Sequence, residues 1–261
     1  QMSNQTNDKP DSGFKNNISS VGVATKFEQY KNVYLAPSID FTYDDLQVQN
    51  SASDGLKKQA GSFTDLTFSY GISLDNRDKA YNPTDGYIST FSQALPVIAT
   101  APFMKNVYSF KKYNSFGRNV IGAFKFHASA INGFGEDVRI SKRLKLPTSK
   151  LRGFESGKVG PKDGDDYIGG NYAYSVNFAS NIPQIFEESQ NLDFLFIADA
   201  ANIWGVDYDS SITGEGVRSS VGLALDWTSP IGPLNFTLAY PIAKKTGDKT
   251  ETFRFNLGTT F

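Results

Sequence analysis

The chain holds a single histidine, His127, and no cysteine, and that inventory bounds its chemistry before any pattern is read. A Ser–His–acid triad or a His-based zinc site would have to be built around His127, and a metal needs two or three further converging ligands. Ser129 stands two residues on and shares a face with His127 if both lie on a strand. Such i,i+2 pairs are common in strands, and this one reads as structural. Zero cysteines leave no disulfide framework and no thiolate site. Asp163-Gly164-Asp165-Asp166 gathers three carboxylates without the spacing and distal glutamate of an EF-hand, and reads as a solvated acidic loop. There is no P-loop and no Rossmann glycine pattern. No catalytic residue, metal ligand or cofactor is expected, and the chain reads as non-enzymatic.

The residues left to consider act by position. Arg152 sits in Leu151-Arg152-Gly153-Phe154, where Gly153 permits close backbone approach and Phe154 supplies an apolar anchor. The motif lies in a stretch from about 132 to 167 with no convincing spanning strand, although Val138–Leu146 reads as a short strand-like extension. A connection that long in a compact fold is usually functional or disordered.

The elements around it read as strands. In Thr250–Phe261 the apolar Phe253, Phe255, Leu257 and Phe261 alternate with Thr252, Arg254, Asn256, Gly258 and Thr260. That is period two over a length that crosses a bilayer as a tilted strand; a helix would scatter the phenylalanines around its axis. Leu234–Tyr240 and Val217–Trp227 repeat the rule, joined by Ser229–Pro233, where Pro230, Gly232 and Pro233 read as a short hairpin turn. Tyr172, Tyr174, Val176 and Phe178 oppose Asn171, Ala173, Ser175 and Asn177, and Leu192–Trp204 carries Asp193 and Asp199 on one parity. Less regular strands are expected near 14–27, 32–46, 62–75, 86–96, 105–114 and 118–131. The total is about eleven strands, the first twelve or so residues reading only as a polar stretch.

Composition agrees. Aromatics make up 14% of the chain, and those near strand ends, such as Tyr30, Tyr34, Trp204 and Trp227, suit an interfacial girdle. The mean hydropathy of −0.37 does not argue against a membrane, because barrel strands interleave lipid-facing apolar residues with polar lumen-facing ones. A net charge of −1 gives no electrostatic case for nucleic acid. The fold class is therefore all-β, an antiparallel transmembrane β-barrel; a soluble β-sandwich is the alternative, with shorter strands and one apolar face per sheet.

Several motifs together resemble the BamA/TamA superfamily of surface-antigen-D15-like barrels. Leu151-Arg152-Gly153-Phe154 is similar to the family's [VL]RG[FY] loop motif, followed by Gly160-Pro161 and Gly169-Gly170 in family order. Trp227–Leu234 resembles its WxSPxGPL turn, Asp75–Asp78 with Pro83–Gly86 its D-x-R-D…P-T-x-G segment, and Gly247-Asp248-Lys249 its approach to the last strand. The wording sides with the BamA branch over the TamA branch. The resemblance implies that 1–261 is the C-terminal part, about eleven strands, of a sixteen-stranded outer-membrane barrel, with POTRA domains and first strands lying upstream and 132–167 as an extracellular loop. It implies that Arg152 folds inward onto Asp199, with Asn177 standing where the family often has a second acid. It also implies that Phe253, Phe255, Leu257, Gly258 and Phe261 form a β-signal strand and lateral gate. The implied function is folding and insertion of β-barrel proteins, with outer-membrane lipids, nascent barrel clients and accessory lipoproteins as partners and no nucleic acid. A porin or polypeptide-secretion channel with TamA-like translocation is the alternative.

Overall fold

The structure is a computed structural model and describes residues 2–117, 120–182, 191–214, 216–229 and 232–257. The described residues form fifteen strands, most of them where the sequence alternates. They are β1 (Met2–Lys9), β2 (Phe14–Ala24), β3 (Phe27–Tyr30), β4 (Val33–Val48), β5 (Gly61–Asp75), β6 (Gly86–Ala99), β7 (Phe103–Ser115) and β8 (Ile121–Gly133). The short β9 (Lys162–Asp163) and β10 (Asp166–Tyr167) follow, then β11 (Tyr172–Asn181), β12 (Leu192–Trp204), β13 (Arg218–Ser229), β14 (Gly232–Ala243) and β15 (Phe253–Leu257). All but β9 and β10 belong to one sheet that runs in chain order, β1-β2-β4-β5-β6-β7-β8-β11-β12-β13-β14-β15, with β3 paired to β4 off that path. Every ladder in it is antiparallel. Among the described residues no ladder joins β1 to β15.

Strand length separates a membrane wall from a sandwich. β4 has 16 residues, β5 15 and β6 14, against about five or six in soluble sheets and nine to eleven needed to cross a bilayer. Register sorts the side chains into two faces. Phe194, Leu225, Phe236 and Phe255 lie in one cross-strand row, and exposed Phe41, Phe68, Phe124, Leu223 and Leu238 belong to the same outer surface. The opposite parity gives the row Lys125, Asn177, Asp199 and Ser220 on the inner face, the last three buried. Large apolar groups outside and buried polar groups inside invert the arrangement of a soluble protein. No helix among the described residues is long and apolar enough to span a membrane, which leaves crossing by strands untouched.

Two expectations need correction. Met2–Lys9 is a strand, although its sequence reads only as polar. Its ladder to Val21–Phe14 is made by backbone, helped by Ser3–Ser20 at 2.7 Å and Thr6–Asn17 at 2.8 Å, so hydrophobic periodicity had nothing to register. Val138–Leu146 is not a strand extension. It is a turn-rich segment whose only bridge is Leu144 to Gly170. Its apolar residues Val138, Ile140, Leu144 and Leu146 are buried because the segment packs on the sheet's inner face.

Two of the buried clusters come from this packing. Val138, Leu146, Leu151, Phe154 and Val159 of the loop meet Ile131, Ala173 and Ile203 of the wall. Ile140 and Ile168 meet Phe14, Leu46 and Leu56 on the other side. At roughly 1.5–3 kcal/mol per fully buried large apolar side chain, these contacts alone hold the loop strongly.

Candidate functional site

The long connection between β8 and β11 is folded onto itself before it meets the wall. Leu144 and Gly170 exchange backbone hydrogen bonds of 2.9 and 3.0 Å, and Gly157 N donates to Leu146 O at 2.8 Å. This presents Leu151–Phe154 to the inner faces of β11 to β14. Arg152 donates to Asp199 three times: Nε and the backbone N to Oδ2 at 2.7 and 2.9 Å, and Nη2 to Oδ1 at 2.6 Å. Its Nη2 also reaches Phe178 O at 3.3 Å, and Ser220 Oγ donates to Arg152 O at 2.5 Å. Asn177 Nδ2 donates to both Asp199 Oδ1 at 2.8 Å and Lys150 O at 2.9 Å, a neutral contact where an acid would have made a second ion pair. The Arg152 and Asp199 side chains are 8% and 1% exposed, so the pair is withdrawn from solvent and its geometry carries weight.

Gly153 takes φ +86°. A Cβ there would stand 3.1 Å from Ala239 O and 3.3 Å from Ser220 Cβ. Gly153→Ala is therefore expected to cost about 1–3 kcal/mol through left-handed backbone strain and crowding against β14. A fall in the unfolding midpoint of the folded barrel in detergent checks it; an unchanged midpoint would show that the turn relaxes freely.

The loop also grips the segment that leads into β15. Glu251 N donates to Gly153 O at 3.0 Å, Glu155 N to Lys249 O at 3.1 Å and Lys249 N to Lys158 O at 3.0 Å, with a bridge between Phe154 and Thr250. Tyr167 Oη donates to Gly247 O at 2.6 Å. Asp248 accepts from Arg218 Nε at 3.0 Å and Nη2 at 3.1 Å, and both side chains are 2% exposed. Arg218 was not singled out in the sequence. Its signal was an arginine on the polar parity of an otherwise apolar-alternating strand.

Sequence reasoning also passed over a charged cluster on the opposite wall. Arg139 pairs with Asp65, its Nε lies 3.8 Å from Asp44 Oδ2, and its guanidinium stacks 4.4 Å over the Phe63 ring. Lys142 Nζ is 3.7 Å from Asp65, and Ser141 Oγ donates to Asp44 at 2.8 Å. Four residues on from Arg139, Arg143 pairs with Asp207, which also accepts from Val138 N at 2.7 Å and Asn171 Nδ2 at 3.0 Å. Burial pushes the Asp207 carboxyl up, but these three donors together hold it below its ordinary value.

The remaining residues named from sequence are dispersed. Phe253, Phe255 and Leu257 lie on the outer face of β15, opposite Leu238, Phe236 and Leu234, with the Phe236 and Phe255 rings 5.0 Å apart. Gly232 and Pro233 begin β14, and Ser229 Oγ donates to Gly232 O at 2.7 Å. Pro230, Gly258 and Phe261 lie outside the described residues. His127 lies on β8 opposite Ser109 and Ser175. Asp163 is engaged by Ser53 Oγ and, at 2.8 Å, by Tyr208 Oη. Among the described residues no three His, Cys, Asp or Glu side chains gather as metal ligands would.

In the β5–β6 turn, Arg77 Nε bonds Asp75 at 2.8 Å, while Asp78 accepts from Thr84 N, Thr84 Oγ1 and Asp85 N at 3.0, 2.6 and 3.2 Å. These bonds, the Thr84 hydroxyl first, hold the Asp78 carboxyl down to about 2. A depressed carboxylate stabilises above its unfolded pKa and loses that contribution as pH falls through the folded one. The turn should therefore keep its geometry at pH 4 and loosen only as pH approaches 2. A carbon-13 titration of Asp78 reads this directly, and a midpoint near 4 would refute it.

With this geometry in hand, comparison with known proteins is decisive. A model described as the Omp85 superfamily domain matches residues 2–261. The chain belongs to the Omp85 superfamily. It is 28% identical over 235 residues to the outer membrane protein assembly factor BamA of Neorickettsia risticii (strain Illinois), covering 86% of this chain and 31% of that protein. It is 36% identical over 140 residues to BamA of Neisseria meningitidis serogroup B, covering 42% and 17%. It is 26% identical over 261 residues to BamA of Nitratidesulfovibrio vulgaris, covering 95% and 32%. The chain thus spans about a third or less of the length of these curated relatives. The crystal structure of BamA from Haemophilus ducreyi lacking POTRA domains 1–3 superposes with a TM-score of 0.85 at 23% identity, covering 97% of this chain and 56% of that one. The Omp85 chain described here is an outer-membrane β-barrel chain with a wide apolar outer face.

Proposed function

We propose that this Omp85 chain is the barrel part of an outer-membrane assembly factor of the BamA kind, which folds and inserts other β-barrel proteins. One observation carries the reading. The Arg152 loop is fixed to the β12 wall through Asp199 and stitched to residues 249–251, which lead into the last strand. A passive pore has no need to couple an inward loop to the strand at its seam. An assembly factor does, because a client hairpin cannot enter lipid with unpaired backbone and gains from a strand edge held open or closed as a template.

On this reading Leu151–Phe154, Asp199 and Asn177 form the tether, and Phe253, Phe255, Leu257, Gly258 and Phe261 belong to the gate strand. Pro230, Gly232 and Pro233 make its preceding turn. The loop end of the barrel faces outward from the cell, and accessory lipoproteins and nascent barrels are the partners. The chemistry is non-enzymatic, and no cofactor or metal takes part.

The test is reconstitution of the full-length protein into liposomes with an unfolded barrel client. Protease-protected, heat-modifiable client should accumulate faster than in empty liposomes. Ion conductance without any gain in client folding would replace this reading with a porin or secretion channel.

A further inference from the structure

We infer that the two limbs of the inward loop are held by unequal anchors, and that the Arg139 cluster is a latch that opens while Arg152 stays bound. This rests on the loop being the working element proposed above.

The first limb, 136–146, meets β4 and β5 through Arg139 and Lys142, and Asp207 beyond β12 through Arg143 and Val138 N. The second, 147–160, meets β12 and the 249–251 segment through Arg152 and backbone. Arg139 and Arg152 are both buried, yet they are satisfied very differently. Arg152 spends its Nε, Nη2 and backbone N on one carboxylate. Arg139 makes one direct bond to Asp65, while its Nε and Nη1 and Asp65 Oδ1 are buried without a hydrogen-bond partner among the described residues. Asp44 is already committed to Asn16 at 2.7 Å and Ser141 at 2.8 Å. Nearby, Gln59 gives its Oε1 to Ile140 N at 2.7 Å and leaves its buried Nε2 unpaired.

Desolvating a charge is repaid only by the hydrogen bonds it then makes. A half-satisfied buried network is therefore the weak point of an interface, and a fully bonded one its fixed point. Opening the first limb would return five unpaired polar atoms to water, Arg143 Nε being the fifth. Opening the second would return almost none. What holds the first limb shut is Ile140 packed on Phe14, Leu46 and Leu56, together with two incompletely bonded arginines, Arg139 on Asp65 and Arg143 on Asp207. The loop thus pivots about Arg152, parting from the β4–β5 wall first and keeping its grip on the approach to β15. Arg139 is a positioning residue in this account.

Residues 1–261 hold no cysteine, so once any cysteine elsewhere in the full-length protein is replaced by serine, single thiols report each limb cleanly. Ile140→Cys and Val159→Cys would be introduced separately into the full-length protein in lipid and labelled with a small thiol reagent. The parent residues are 1% and 3% exposed, so static exposure does not favour Ile140. The latch predicts that Cys at 140 labels about tenfold or more faster than Cys at 159, since labelling follows the population of locally open states. Arg139→Ala should speed labelling at 140 by a further factor of about ten and leave 159 within about twofold, with Arg139→Lys in between. Amide exchange in the unsubstituted chain gives the same comparison without mutation: Ile140 N–H should exchange faster than Glu155 N–H. Equal labelling or exchange in the two limbs, or acceleration of both by Arg139→Ala, overturns the latch. Neither readout depends on a client, so that result would leave the assembly reading standing, and a failed client assay with unequal limbs would do the reverse.

Discussion

Arg152→Ala is expected to cost about 3–5 kcal/mol of folding stability, because it leaves Asp199 as an uncompensated buried charge beside Asn177 and Ser220. The measurement is the shift in urea midpoint of the refolded barrel in detergent. Asp199→Asn should cost less, since an amide oxygen still accepts from the Arg152 backbone N. Arg152→Lys keeps the charge but loses the fork that meets both carboxylate oxygens, and should fall between wild type and alanine. The double variant Arg152→Ala/Asp199→Ala should lose less than the sum of the singles, because the second change removes the charge orphaned by the first. Strict additivity would mean that the two side chains do not act as a pair. In cells, the alanine variant of the full-length protein should lower outer-membrane protein levels. Normal levels together with the expected stability loss would confine the pair to holding the fold.

Much of this was legible in the sequence, and what was not failed for physical reasons. Strand β12 was read with its observed bounds, Leu192–Trp204, although it is largely apolar on both faces, because Asp193 and Asp199 share one parity and mark the side turned to a wet interior. The same rule cannot see β1, whose side chains are polar on both faces and whose place is set by backbone pairing to β2. The loop segment Val138–Leu146 misled in the opposite sense. Its apolar residues are spaced like a strand's, but they are buried by folding against the inner wall, not by a ladder. The position of Arg152 stood out because its neighbours form a recognisable motif. Arg139, Arg143 and Arg218 sit in no such motif, and what makes each notable is a carboxylate about 30 to 74 residues away in sequence, at Asp65, Asp207 and Asp248. Spacing along the chain carries no trace of a partner on a wall several strands distant.

Arg218→Ala should have an effect of the same size as Arg152→Ala, about 3–5 kcal/mol, for a related reason. Arg218 is the joint between three connections at one end of the barrel. Its Nη1 donates to Gly214 O and Gly216 O at 2.6 and 2.8 Å, closing the β12–β13 connection, and to Asn202 Oδ1 at 3.2 Å. Its Nε and Nη2 hold Asp248 of the β14–β15 connection, and Asp248 in turn accepts from Lys245 N at 2.7 Å and from Gly160 N of the inward loop at 3.4 Å. Truncation would strand a buried carboxylate and two carbonyls together. Lysine could restore the charge but not four directed N–H groups, so Arg218→Lys should recover well under half of the loss. Asp248→Asn should be milder, because it keeps one acceptor oxygen for the backbone donors. Both Arg218 and Arg152 restrain the approach to β15, one through Asp248 and the other through Gly153 and Glu251. Once either is removed that segment is already free to move, so the Arg152→Ala/Arg218→Ala double variant should lose measurably less than the sum of the singles. Independent, additive losses would show that the two arginines secure separate parts of the wall and that the inward loop is not coupled to the last strand.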